Sequence, residues 1–529
     1  MTARLRHRVP MPLRQHWKLL VAFVAAIAVV ATVFGATRIR PYITGDATVL
    51  SSPITENLTG TVDLFDDTVG HTLELSISDT EYHDMLAAYQ DNGDKKWITA
   101  DVTIDGLLIS DVGVRLKGNS TLIGLSGDGG FAPPEGMELP EGFVPPDGMA
   151  MPDAGGAMGA ATSVSADDPA SLPLLLSFNK NHEGQAYQGM TQLSVRPGSP
   201  VVNEALALSL TAETGQPTQR HAYTSYSING GATTTRLVLE NPDEQYANSL
   251  FDSDGYLYKA DAGSRFEYVG EDQSDYSGQF KQVNARDSGT LQPVIDFLRW
   301  LDSADDATFD AELGDWVDVD SFARYVATQN LLSNGDDMAG PGQNYYLWYD
   351  LDTTLISVMS WDLNMALSGD TAAGPQDTVS MMPGGANGGG GAGMPVGMPD
   401  AAPEGMPQMP GGMPVTPQDM PAFPGGGDGK APGAAPESGP PGMDAGGLGG
   451  NSLKTRFLAS EAFTHLYEAA YWELFEQIYG DGTALEVLAR LESAVPVTDS
   501  LTAESRDEEI ATLRAWVKER TAALSAMRK

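Results

Sequence analysis

Two long stretches of this 529-residue chain carry too little apolar surface to join a packed core. Residues 124–171 contain PPEGMELPEGFVPPDGMAMPD, and residues 371–450 contain GMPVGMPD and PEGMPQMPGGMP. Gly and Pro fill 36 of the 70 positions in 381–450. Ordering such sequence costs chain entropy that no buried side chain offsets, and proline removes backbone donors, so both stretches are expected to be disordered. They share the element PEGM and together hold 13 of the 21 methionines. The remainder has the composition of an ordinary globular domain. The stretches therefore read as insertions into one domain rather than linkers between several.

Charge divides the chain a second time. Residues 1–40 contain seven basic side chains (Arg4, Arg6, Arg8, Arg14, Lys18, Arg38, Arg40) and no Asp or Glu, while the rest carries 24 basic and 71 acidic residues. Residues 19–36 form an uncharged, mostly apolar run of 18 residues. As a helix rising about 1.5 Å per residue, the run spans a thin hydrocarbon core. With five basic residues before it and two after, residues 1–18 are expected in the cytoplasm, 19–36 as a single-pass membrane anchor, 37–61 as a linker and the acidic bulk outside. A cleaved signal peptide is the alternative, but Val33-Phe34-Gly35 is a poor small-x-small cleavage site. The acidity argues against nucleic acid as a partner. The absence of cysteine excludes thiol nucleophiles, disulfides, iron–sulfur clusters and Cys-ligated zinc.

From Val62 onward the pattern is readable. Leu73 to Ile77 alternates as a strand, and Thr80 to Gln90 reads as a helix capped by Asp79 or Thr80. Trp97 to Ile104 and Ile109 to Lys117 form a hairpin about Asp105-Gly106. A strand at Pro173 to Phe178 follows the first insertion. Next comes a helix, Asn203 to Thr214, with Asn203 as N-cap and Gly215 past its end. Tyr223 to Ile228 and Thr233 to Leu239 form a hairpin about Asn229-Gly230. Helical spacing then dominates, at Leu291 to Leu301, Asp320 to Leu332, Leu453 to Tyr479 and Arg506 to Met527. Strand-rich 62–240 followed by helix-rich 241–529 predicts an α+β protein of two lobes with a ligand cleft between them.

Polar groups able to do chemistry concentrate in two loops. Asn334-Gly-Asp-Asp-Met-Ala-Gly-Pro-Gly-Gln-Asn344 precedes a strand at Tyr345 to Tyr349, and a partner strand at Leu355 to Met359 leads into Ser360-Trp-Asp-Leu-Asn364. Phosphoryl transfer needs a carboxylate for the hydroxyl proton, oxygen ligands for a divalent cation and a basic group on the phosphates. Asp336, Asn344 and Asp362, with Lys180 or Lys117, supply these types. The same residues also favour turns for backbone reasons alone. The segment RLKGNST sets Gly118 and a hydroxyl beside Arg115 and Lys117, a weak phosphate-loop signal. Glu204 suits either a lysine partner or the helix N-terminus. The seven histidines show no metal-type spacing.

The blocks IDGLLISDVGVRLKGNST, AYQGMTQLSVR, NEALALSLTAETG, LVLENPDE, GYLYK, NGDDMAGPGQNYYLWYD and SWDLNMALSG, in this order, with the helical stretches SLKTRFLASEAFTHLYEAAYWELF and LRAWVKERTAAL after them, resemble the spore coat protein H (CotH) family of kinase-like proteins over residues 70–525 apart from the insertions. The resemblance implies a two-lobed protein-kinase-like fold that uses ATP and Mg²⁺ or Mn²⁺ to phosphorylate a protein, here in the cell envelope. By position it implies Asp336 as the catalytic aspartate, with Asp337 beside it as a rival. Asn344 and Asp362 become metal ligands, with Asn364 where a second acidic residue is common. Residues Arg115, Lys117, Gly118, Asn119 and Ser120 resemble the phosphate-covering loop. Lys180 stands as the strand lysine with Glu204 as its helix partner, Lys259 as its rival, and Glu240 at a hinge. Two other readings stay open: an inactive kinase-like scaffold for envelope or coat assembly, and Cu(I) capture by the methionine-rich stretches.

Overall fold

The computed structural model describes residues 53–118, 120–125, 164–286, 288–379 and 451–528, all within one compact unit, Val49–Lys529. The 1–18 tail, the 19–36 run, Asn119 and most of both Gly/Pro-rich stretches lie outside the described residues. No helix among the described residues is long and apolar enough to cross a membrane.

The first part of the chain contains β1 (Glu56–Leu58), β2 (His71–Ser76), α1 (Asp79–Asn92), β3 (Ile98–Ile104), β4 (Leu107–Leu116), β5 (Leu174–Ser177), β6 (Gln185–Tyr187), β7 (Gln192–Val195), α2 (Val202–Glu213), β8 (His221–Ile228) and β9 (Thr234–Glu240). The second contains α3 (Glu244–Leu250), β10 (Gly255–Ala260), β11 (Phe280–Gln282), α4 (Gln292–Ser303), α5 (Asp306–Glu312), α6 (Val319–Leu331), β12 (Tyr345–Asp350), β13 (Ile356–Ser360), α7 (Ser452–Ala459), α8 (Glu461–Phe475), α9 (Thr483–Ala494) and α10 (Ala503–Met527). The fold is mixed α+β, with ten α-helices among the described residues.

Seven strands close a barrel in the order β2-β3-β4-β5-β7-β9-β8. Its hairpins follow from turn chemistry. Asp105-Gly106 and Asn229-Gly230 both adopt positive φ at the two central positions, as a two-residue hairpin turn requires. Closure is non-local: β2 pairs in parallel with β8, from His71↔Thr224 to Leu75↔Ile228. The Asn229 side chain reinforces the seam, accepting from the Ile77 N–H and donating to its carbonyl, each at 2.8 Å.

β2 and β3 alternate buried and exposed residues, whereas every residue of β9 is buried. Val238 packs into the barrel interior, while Leu237 and Leu239 pack into the helical core around α2. β9 is thus a wall shared by two cores, and this explains its continuous apolar reading. A second, antiparallel sheet runs β11-β10-β12-β13.

Three local expectations need correction. The cap of α1 is Ser78, whose Oγ accepts from the Glu81 N–H, rather than Asp79 or Thr80. Asn203 lies inside α2; the cap position belongs to Val201, which makes no side-chain cap. The helix expected from Leu453 to Tyr479 breaks at Ser460, which ends α7 and caps α8 by accepting from the Ala462 N–H. Packed structure also reaches into both Gly/Pro-rich stretches, since Leu125, Val164, Ser171 and Ala373 are buried.

Candidate active site

The site is built from strand ends and two loops. α6 ends at Leu331, and the loop after it turns tightly enough that Asp336 and Asn344 meet. The Asp336 carboxylate accepts from the Gly342 N–H at 2.6 Å and from Asn344 Nδ2 at 2.9 Å. A Cβ on Gly342 would lie 2.5 Å from Asp336 Oδ2 and 2.8 Å from Asn344 Nδ2, so only glycine fits there. Burial raises the Asp336 pKa, opposed by the Gly342 hydrogen bond and helped by the charges of Asp362 and Asp337.

Asp337 points elsewhere. It is buried, pairs with Lys454 of α7, and accepts from the Ala339 N–H at 2.9 Å. The two aspartates differ in packing: Asp336 is the less buried carboxylate, and it meets Asn344.

Asp362 follows β13 in the left-handed region, with φ 53°, a conformation that aspartate tolerates better than most residues. α2 fixes this turn. Asn203 Nδ2 donates to the Asn364 carbonyl at 2.6 Å and to the Ala366 carbonyl at 3.2 Å. Asn364 thus enters the arrangement through its main chain. Arg196, immediately after β7, joins Asp362 to α2: its NH2 lies 2.5 Å from Asp362 Oδ1 and its Nε 2.8 Å from Glu204 Oε2. Burial alone would lower the Arg196 pKa, but the Asp362 and Glu204 carboxylates hold it raised. Glu204 is fully buried, which pushes its carboxyl up to about 6 against the pull of Arg196, and its Oε1 has no hydrogen-bond partner.

Two lysines face the same point. Lys117 at the end of β4 and Lys259 on β10 each place Nζ over the Trp361 ring, at 5.0 and 4.8 Å from its centroid. Lys117 also donates to Asn241 Oδ1 at 2.7 Å and to Ser194 Oγ. Burial drives the Lys117 pKa well down, and the nearby charges of Lys259 and Arg196 add to that. Burial likewise lowers Lys259, with Asp362 opposing. Lys259 is also the cross-strand partner of Lys281, and the charges of Asp362 and Asp261 offset that like-charge neighbour.

The remaining candidates are placed as follows. Arg115 stacks on Trp97, 5.0 Å from its centroid, and burial lowers its pKa. Gly118 has φ 113°, and Ser120 opens a short 3-10 turn, Ser120–Leu125. Lys180 is exposed on the barrel with Nζ 5.6 Å from the Trp97 centroid. The expected Lys180–Glu204 pair is therefore corrected to Arg196–Glu204: Lys180 follows β5 on the outer surface, whereas Arg196 leaves β7 toward α2. Glu240 makes a two-point pair with Arg220, both contacts at 2.9 Å, which fixes it within the wall rather than leaving it as a free hinge group.

Residue reasoning missed Arg196, Trp361 and Lys454. Arg196 directly follows the largely buried strand QLSV, a position where a charge needs a partner; Trp361 adjoins Asp362. Lys454 stands in the helical stretch SLKTRFL, where nothing local marks it as the partner of Asp337.

Asp336, Asp362 and Asn344 offer two carboxylates and an amide oxygen. This donor set fits Mg²⁺, which takes one or two carboxylates and completes its shell from substrate and water. No cluster of three or more His, Asp or Glu side chains suited to a metal ion occurs among the described residues.

The family model described as CotH kinase protein matches residues 176–399. No curated protein matches the chain. The chain therefore carries a CotH kinase family domain match at residues 176–399, the span that holds Arg196, Glu204, Lys259, Asp336, Asn344 and Asp362.

Proposed function

We propose that this chain is a phosphotransferase that moves the terminal phosphoryl group of ATP to a protein hydroxyl. The observation that carries the reading is the convergence of Lys117 and Lys259 on Trp361, beside Asp362, whose charge in turn reaches Asp336. Clustered cations next to carboxylates, at the end of a barrel, suit a phosphate chain rather than a neutral ligand.

Lys117, Lys259 and Arg196 hold and orient the phosphates. Asp336, kept in place by Gly342 and Asn344, accepts the proton of the acceptor hydroxyl. The acceptor oxygen bonds to the γ-phosphorus as the bond from that phosphorus to the β–γ bridging oxygen breaks, and ADP leaves. Asp362 and Asn344 would hold Mg²⁺, which when bound neutralises phosphate charge. Arg196 must then share Asp362 or release it. Trp361 closes one side of the phosphate site and excludes water. The N-terminal apolar run would anchor the enzyme in the cell membrane, with this domain and its acceptor outside the cytoplasm.

The test is label transfer from γ-labelled ATP with Mg²⁺ by the purified chain. Transfer to itself or to an added protein, abolished in Asp336→Asn, supports the reading. An equal signal in wild type and Asp336→Asn would overturn it.

A further inference from the structure

Beyond the span matched by the family, the chain returns to the active site. We propose that Lys454 is a positioning residue for Asp336 and Asn344, so that the helices after residue 450 are a working part of the site. The inference rests on the phosphotransferase reading for its effect on rate, but not for its structural content.

The argument starts from Asp337. This carboxylate is buried at 2% exposure, and a buried carboxylate without a charged partner is costly. Its Oδ2 meets Lys454 Nζ, from the first turn of α7, and its Oδ1 accepts from the Ala339 N–H. The main chain of Asp337 is itself a hub. Its carbonyl accepts from the Gly340 N–H at 3.0 Å and from the Asn344 N–H at 3.3 Å. The residue before it is Asp336, and the residue it grips is Asn344. Fixing Asp337 therefore fixes both groups that meet at 2.9 Å in the site.

Lys454 is held in turn. Asn451, fully buried, caps α7 by accepting from the Lys454 N–H at 3.1 Å. Phe457, one turn on, packs edge-to-face on Phe322 of α6 with centroids 5.0 Å apart. α6 is the helix that delivers the Asp336 loop. So α7 packs on the N-terminal turn of α6 through Phe457 and grips the loop itself through Lys454. The ion pair spans 117 residues of sequence, across the whole second Gly/Pro-rich stretch.

The experiment uses full-length wild type, Lys454→Met, Lys454→Arg and the double variant Lys454→Met/Asp337→Asn. Hydrogen exchange is followed in peptides covering 336–344 and, as a control, in β2, β3 and β8. Phosphoryl transfer is measured in parallel. Lys454→Met is expected to speed exchange in 336–344 by at least ~10-fold while the barrel peptides keep wild-type rates. It should lower kcat by about the same factor or more with KM for ATP little changed. Lys454→Arg should restore most of both. The double variant, which leaves no buried unpaired charge, should recover protection of 336–344. Wild-type exchange in 336–344 of Lys454→Met would overturn the inference, as would faster exchange spread evenly over barrel and loop. If wild type transfers no phosphate, the phosphotransferase reading fails while the exchange data still decide the role of Lys454.

Discussion

The barrel and the Asp336 loop are stabilised in different ways. Inside the barrel, residues such as Leu73, Val102, Val114, Leu176 and Val238 exclude water with aliphatic surface alone. Around the loop, buried polar groups dominate. Arg520 of α10 is fully buried and donates to the carbonyls of Asn330, Leu331, Thr371 and Ala373. Gln329 links the Asn334 amide to Ser360 of β13, with both contacts at 2.7 Å. Leu367 N–H donates to the Leu332 carbonyl at 2.7 Å, tying the stretch after Asp362 to the start of the Asp336 loop. An aliphatic core tolerates small rearrangements, but a hydrogen-bonded one fixes relative positions. The contrast places directional bonding where two aspartates from separate loops must be held at fixed spacing.

The contrast can be broken or sharpened by substitution. The largest effect is expected at the reacting group: Asp336→Asn should lower phosphoryl transfer by about 10²–10⁴-fold with thermal stability nearly unchanged, checked by label transfer and melting. Arg520→Met should cost roughly 3–5 kcal/mol in denaturant unfolding, because it strands several buried carbonyls. Leu176→Ala in the barrel should cost about 2–5 kcal/mol through a cavity alone. The two should differ in kind: Arg520→Met should also depress transfer in the surviving folded protein, and Leu176→Ala should not. Asn203→Ala removes two bonds to the Asp362 turn, which predicts a loss of about 1–3 kcal/mol together with weaker nucleotide binding by titration calorimetry.

The most gradual effect is a pH dependence at the wall between the cores. His221 opens β8 with Nε2 3.3 Å from Ser209 Oγ on α2. Burial lowers its pKa from 6.5 to about 4, so the folded protein keeps it neutral. Unfolding lets it take up a proton below pH 6.5. Its contribution to stability is thus complete above about pH 6.5 and is lost as pH falls toward 4, at no more than ~1.4 kcal/mol per pH unit. The difference in unfolding free energy between wild type and His221→Gln should be constant above pH 7 and should shift against wild type between pH 6.5 and 4.

Much of the local structure could be read from the chain because its signals are local. Alternation from Leu73, the Asp105-Gly106 and Asn229-Gly230 turns and the helical spacing at Ile510, Leu513, Val517 and Leu524 each sit within a few residues. Asp336, Asn344 and Asp362 were recognisable by residue type and by resemblance. Barrel closure was not, because the parallel β2–β8 pairing joins residues about 150 apart. Nor was the ionic framework. Arg196 reaches Asp362 across 166 positions, and Arg520 reaches Asn330 across 190. Such pairs leave no periodicity for a sequence to display. Lys180 drew attention as a lysine near a strand, yet the cation that meets Glu204 is the arginine that follows the neighbouring strand of the barrel.

The central claim is that one site joins the phosphate-binding cations to the Asp362–Asn344 pair. It is tested most directly by a crystal structure of the full chain with Mn²⁺ and a non-hydrolysable ATP analogue, using the anomalous signal of the metal. The account predicts Mn²⁺ bound by Asp362 and Asn344, with the phosphates on Lys117 and Lys259. Arg196 would by then have moved off the metal-facing oxygen of Asp362. An Arg196–Asp362 pair still closed at 2.5 Å, with nucleotide and metal absent from this site at saturating concentration, would contradict it.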